Sequence, residues 1–281
     1  MSRHALAILM GAVVLIGGCK DAAQPMEHVL DTTTIAPRPD GGDAAGGSPL
    51  LDEASGGAIS DAGHIPIPRR WQLPTLSEVE SADSWENRLA ELPASDQEWL
   101  RLLNDRYGGS LAFASPEEQQ WLIQQGFPMP EEWLAGRRLH ETELEQLAER
   151  GNLKAQMLFI DSVISEIGPV RASGRGLDNS QEDRKLLSRF ARATSMVTLM
   201  MESTQSPFTA YLEGAVLSAG AQYNPPEYVA SGIMLARDLG DRRAEELRQA
   251  YQRSHPGMDS NLVLNLYSSG KGSLHTKRDG P

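Results

Sequence analysis

A long stretch of this chain has almost nothing to bury. Residues 20–68 are rich in Gly, Ala, Asp, Pro, Ser and Thr, with runs such as Pro39-Asp40-Gly41-Gly42-Asp43-Ala44-Ala45-Gly46-Gly47-Ser48. Such a composition cannot offset the entropy of ordering the chain, so the segment is expected to stay disordered. A flexible coil of about 50 residues spans roughly 40 Å root-mean-square, enough to hold a following domain well away from its attachment point. Within it, His64-Ile65-Pro66-Ile67-Pro68 reads as the place where the chain enters a folded domain. Of 281 residues, only those from about Trp71 onward remain to build a core.

From there the punctuation is helical. Ser95-Asp96-Gln97-Glu98 has the spacing of a capping box, and Trp99, Leu102, Leu103 and Tyr107 would form its inward stripe, stopped by Gly108. Ser115-Pro116-Glu117-Glu118 starts the next helix, with proline at the first helical position and Gly126 after the last. Pro130 opens another, and 141–150 continues with Leu144, Leu147 and Ala148 inward before Gly151. A longer helix is expected over 181–203, where Met196, Met200 and Met201 read as gap-filling core. Leu262-Val263-Leu264-Asn265-Leu266-Tyr267 fits a short strand or a closing helix equally well. The expected class is all-α.

The first eighteen residues tell a separate story. Arg3 and His4 precede an apolar run over 5–16. About a dozen residues fall short of the roughly 20 needed to span a bilayer but suit a signal peptide. The run ends in Ile16-Gly17-Gly18-Cys19, and Cys19 is the one cysteine in the chain, so neither an internal disulfide nor a thiolate metal cluster can form. The residues alone also fit an ordinary secretory signal with an incidental cysteine, or an uncleaved membrane helix. The pattern resembles the lipobox of bacterial lipoproteins. That resemblance implies cleavage between Gly18 and Cys19 and acylation of Cys19, a durable anchor at about 0.8 kcal/mol per buried methylene. Lys20, where many such proteins retained at the inner membrane carry Asp, implies the outer membrane, facing the periplasm.

Three short breaks share a pattern: Gly151-Asn152-Leu153-Lys154-Ala155, Ser206-Pro207-Phe208-Thr209-Ala210 and Gly240-Asp241-Arg242-Arg243-Ala244. Each has an alanine as its fifth residue, and positions 206 and 240 lie 34 apart, the length of a helix-hairpin repeat. Positions 151 and 206 lie 55 apart, with an apparent insertion around 170–177. Leu147-Ala148-Glu149-Arg150-Gly151-Asn152 followed by Ala155-Gln156 resembles the start of a SEL-like repeat, a relative of the tetratricopeptide repeat, degenerate over 140–254. Such repeats form helical solenoids that act as binding scaffolds. The residues also fit an irregular helical bundle. The expected organisation is therefore a signal over 1–18, a disordered tether over 19–70, a helical domain over 71–267 and a disordered tail over 268–281.

Chemistry is harder to find. The formal net charge of -12, without a basic stripe, argues against a phosphate-backbone partner and would favour a basic one. The six histidines show no metal-ligand spacing, and His140 reads as an exposed residue at a helix start. No phosphate loop, dinucleotide fingerprint or nucleophile elbow is present, so no cofactor and no metal are expected. Glu131-Glu132, Glu141 to Glu145, Glu182-Asp183 and Glu245-Glu246 could in principle supply a glycan-cleaving pair, but they fall in first helical turns, where the helix dipole favours negative charge. Trp85, Trp99, Trp121 and Trp133 should share one hydrophobic cluster.

The expectation is a non-enzymatic, membrane-anchored periplasmic lipoprotein whose helical domain binds a protein or envelope component. Interception of a toxic secreted enzyme is one form this could take. A peptidoglycan hydrolase and a purely structural envelope protein are the alternatives. The candidate binding residues are Arg171 and Arg175 in the insertion, with Tyr223 and Tyr228 expected to be exposed.

Overall fold

The computed structural model describes residues 79–275 except 178 and 179. The chain divides into two units, Met1–Pro66 and Ile67–Pro281, and every described residue lies in the second. Gly18, Cys19, the tether, positions 71–78 and positions 276–281 lie outside the described residues.

Eleven helices fill the described part, and it contains no strand. In chain order they are α1 (Trp85–Ala90), α2 (Ala94–Arg106), α3 (Pro116–Gln124), α4 (Pro130–Arg138), α5 (Glu141–Glu149) and α6 (Leu153–Ala172). Then follow α7 (Gln181–Thr204), α8 (Pro207–Gly220), α9 (Pro226–Asp238), α10 (Ala244–Ser254) and α11 (Ser260–His275). The protein is all-α. None of the described helices is long and apolar enough to cross a membrane.

Local chemistry explains most of the boundaries. The Ser115 hydroxyl accepts from Glu118 N at 3.2 Å, and Pro116 sits at the first helical position of α3. The Asn152 side chain accepts from Ala155 N at 3.0 Å to start α6. Gly126 and Gly151, both at φ +82°, close α3 and α5 in the left-handed region that a side chain resists.

Two boundaries differ from the sequence reading. Helix α2 starts one residue before the expected capping serine, with Pro93 at the N-cap, so Ser95 lies inside the first turn. The Gln97 amide anchors that end instead, donating to Leu92 O at 2.9 Å. The inward stripe of α2 is Leu100, Leu103 and Tyr107, at i, i+3 and i+7, which turns Leu102 outward to 60% exposure. At the other end, residues 262–267 are helical, and α11 continues to His275 through residues assigned by composition to the tail. Packing explains the extension. Gly270 lies so close to α9 that a Cβ there would be 2.8 Å from Leu235 Cδ1, and Lys271 Nζ reaches Asp238 at 2.9 Å.

One core runs through the molecule from Trp85 to Ala244. Helix α6 packs on α4, α5, α7 and α8; α8 packs on α7 and α9; α9 packs on α10 and α11. The α8–α9 crossing is the tightest: a Cβ on Gly214 would lie 2.7 Å from Tyr228 O, and one on Gly232 would lie 2.6 Å from Ala210 O. Ala155, Ala210 and Ala244, the alanines after the three breaks, are all buried at 1% exposure or less. Trp85, Trp99, Trp121 and Trp133 all pack in or against this one core. Trp133 stacks on Tyr107, Trp121 meets Phe127, Trp85 meets Phe113 edge-on, and Arg137 covers Trp99.

Chain-order neighbours are not the only contacts, as they would be in an open repeat array. Arg243, at the start of α10, donates to Ala112 O at 2.8 Å and Ser110 O at 3.1 Å, fastening the C-terminal hairpins to the N-terminal helices. Two buried tyrosines make matching joints. Tyr107 OH donates to Asp161 at 2.9 Å beside Arg106, and Tyr211 OH donates to Asp241 at 2.8 Å beside Arg243. Burial and the neighbouring carboxylate push both phenols above their ordinary range.

Candidate functional site

A groove of about 400 Å³ opens where five helices meet. Asp105 and Arg106, at the end of α2, form part of its lining. Gly168, Pro169 and Ala172 of α6 and Ala215 and Ala219 of α8 form its apolar part, and Asn224 and Tyr251 add polar groups. Small side chains create the space: with bulkier residues at 168, 172, 215 and 219 the helices could not leave a groove.

The polar groups fall into two sets, engaged and unengaged. The Arg106 guanidinium binds Asp161 and donates to Ser165 Oγ at 2.9 Å. Burial pulls its pKa down, but the Asp161 charge more than compensates and holds it above its usual value. The Asn224 amide donates to Gly168 O at 3.1 Å, tying the α8–α9 turn to α6, while its Oδ1 is shielded from water and has no partner. Pro169 has no N–H, so the carbonyl of Ser165, one turn earlier, lacks its helical donor. The Asp105 carboxylate forms no ion pair among the described residues. Burial, with the Glu227 charge, pushes the Tyr251 phenol up to about 12, so it remains a neutral hydroxyl at physiological pH. The ring of His255 stacks on that of Tyr251 at 4.1 Å.

The expected binding residues lie near one end of this region, with one exception. Arg171 O accepts from both Gly174 N at 3.0 Å and Tyr223 N at 3.2 Å, which brings the end of α6 against the α8–α9 turn. Tyr223 is 69% exposed and lies over Gly174, where a Cβ would be 3.1 Å from its ring. The Arg175 guanidinium binds Asp183 in the first turn of α7 at 2.9 Å, pinning the loop. Arg171, Arg175 and Tyr223 are thus gathered at one loop cluster. Tyr228 is not part of it: at 9% exposure it is buried beside the α8–α9 crossing, because α9 turns that face inward where Gly214 admits its backbone. Residues 170–172, expected within an insertion loop, belong instead to the last turn of α6.

The acidic pairs are mostly structural. Glu131 binds Arg88 at 2.6 Å, and Glu132 caps α4 through Met129 N at 2.8 Å while holding Lys154 at 2.9 Å. Glu141 and Glu145 pair with Arg189 and Arg192. The Arg248 side chain, bonded to Glu245, holds that carboxyl down to about 2, too acidic to serve as a proton donor at neutral pH. His140 caps α5, accepting from Thr142 N at 3.4 Å. Met200 and Met201 are buried, as core. Among the described residues no group of three or more His, Cys, Asp or Glu is placed to hold a metal ion.

The chain matches no family model, no curated protein and no solved structure. The sequence reading missed the groove, although two signals marked it: a Gly168-Pro169 pair inside a helix, and Asn224-Pro225-Pro226 as a turn. In that turn Tyr223 and Asn224 adopt φ of +66° and +46°, a strained pair of non-glycine residues in the left-handed region.

Proposed function

We propose that this protein is a lipid-anchored periplasmic module that binds a protein or envelope component through the groove between α2, α6 and α8. The anchor is acylated Cys19, held at the outer membrane, and residues 20–70 act as the tether. The observation that carries the binding reading is the groove: a concave, largely apolar opening with a few fixed polar groups, the usual character of a ligand site. Its strongest charge, Arg106, is already neutralised by Asp161 and oriented by Ser165, which suits recognition of a group that does not react. The left-handed turn at Tyr223 and Asn224 sits at its edge, the kind of strained backbone that clusters at ligand clamps.

The test uses cells making the full chain. Intact mass of the membrane-extracted protein should show a chain beginning at Cys19 with acyl mass added, lost in Cys19→Ser. Envelope proteins should be co-purified by the wild type and not by Ala172→Phe, which places a ring in the groove from a solvent-exposed position. An unacylated chain would overturn the anchor, and identical co-purification by both proteins would overturn the groove as the binding site.

A further inference from the structure

We infer that the groove is a pocket for a lysine side chain presented by a protein partner, its aliphatic stem along Gly168, Ala215 and Ala219 and its ammonium against Asp105. This rests on the binding reading above and names the chemistry of the same site. Two acceptors among its lining residues are unengaged. Asp105, exposed at the rim, carries a carboxylate without an ion pair among the described residues, and Asn224 a buried Oδ1 without a partner there. A buried acceptor left unsatisfied carries a desolvation cost that a donor from a ligand removes, and Asn224 Oδ1 is such an acceptor. The one cation in the lining, Arg106, is matched by Asp161, so the unbalanced charge of the groove is that of Asp105. An amide oxygen and a carboxylate around an apolar floor fit a compact cation on an aliphatic stem, and the Tyr251 ring, backed by His255, offers that cation an aromatic face. The excess of acidic residues over the whole chain, 38 against 26 basic, favours approach of a basic partner.

The test measures binding of a fluorescein-labelled peptide, Gly-Ala-Lys-Ala-Gly with blocked ends, to the full chain in mild detergent at physiological salt. The control peptide carries norleucine in place of lysine, keeping the stem and removing the charge. Saturable binding of the lysyl peptide is expected, weakened about tenfold by norleucine and about tenfold by Asp105→Asn, as for loss of one charge-assisted contact. Glu98→Gln removes the same charge from an exposed position on α2 and should leave binding unchanged, whereas Ala172→Phe should abolish it with the thermal melt intact. No saturable binding, equal affinity for the norleucine peptide, or equal losses in Asp105→Asn and Glu98→Gln would each overturn the inference. If Ala172→Phe abolishes co-purification of an envelope protein but leaves peptide binding untouched, the lysine pocket falls while the groove remains the binding site.

Discussion

Replacing Arg243 with methionine should be among the most damaging single changes in this protein. The guanidinium joins parts of the chain more than 130 residues apart, donating to Ser110 O and Ala112 O while pairing with Asp241 at 2.9 Å and Glu118 at 3.3 Å. It also lies over Trp121 and Phe127, 5.3 and 5.5 Å from their ring centres. Methionine keeps the stem but leaves two inward carbonyls without donors and the fully buried Asp241 without its counter-ion. Removing one partner of a buried ion pair costs about 3–5 kcal/mol, a large share of the 5–15 kcal/mol typical of a domain. For a domain of this size the melting temperature should fall by about 6–20 °C. Arg243→Lys, which retains the charge but not the fork, should fall between variant and wild type. A double-mutant cycle with Asp241→Asn gives the decisive comparison, because removing both charges should cost less than the sum of the single changes. If Arg243→Met melts within about 2 °C of the wild type, corresponding to no more than about 1 kcal/mol, Arg243 does not hold the two ends together.

Three further outcomes follow from the packing. Gly232→Ala should destabilise by about 1–3 kcal/mol in urea titration despite alanine's better helix propensity, because its Cβ would press on Ala210 O. Tyr211→Phe should cost about 1.5–3 kcal/mol by removing the hydroxyl that Asp241 accepts from, with no change in helical content by circular dichroism. Burial raises the pKa of Glu213, so the folded state favours its protonated form. Its stability penalty is absent below the ordinary carboxylate range and grows as pH rises through that range toward the folded value. Glu213→Gln should therefore stabilise the protein at pH 7 and much less at pH 4, and equal effects at both would refute that reading.

The helices were legible where the signal was local. Ser115-Pro116, Asn152 and Ser206-Pro207 each mark a helix start through hydrogen bonds or fixed dihedrals within a few residues, and all three start helices. Of the expected α2 stripe, Leu103 and Tyr107 are buried and Trp99 packs against the core, but Leu102 faces out: Leu102 and Leu103 are adjacent leucines, and only tertiary packing selects which one faces inward. Likewise, nothing local shows that Gly270 packs on Leu235, so α11 outran its expected end. The candidate site was less legible. Arg171, Arg175 and Tyr223 were singled out for polarity in a loop, and they do meet at one cluster, but Tyr228 was not distinguishable from Tyr223 without knowing which face of α9 meets Gly214. The groove draws residues from positions 105 to 251, and no periodicity in a single sequence reports a juxtaposition of that range.

The most direct test is site-specific photo-crosslinking in living cells, with a photoreactive aromatic amino acid in place of Tyr223, exposed at the edge of the groove, and, separately, in place of Leu102 on the outward face of α2. The full-length protein should give one discrete crosslinked species from position 223, absent from position 102 and weakened in Asp105→Asn. The same products from both positions, or none from position 223 while position 102 reacts, would contradict a binding module that works through this groove.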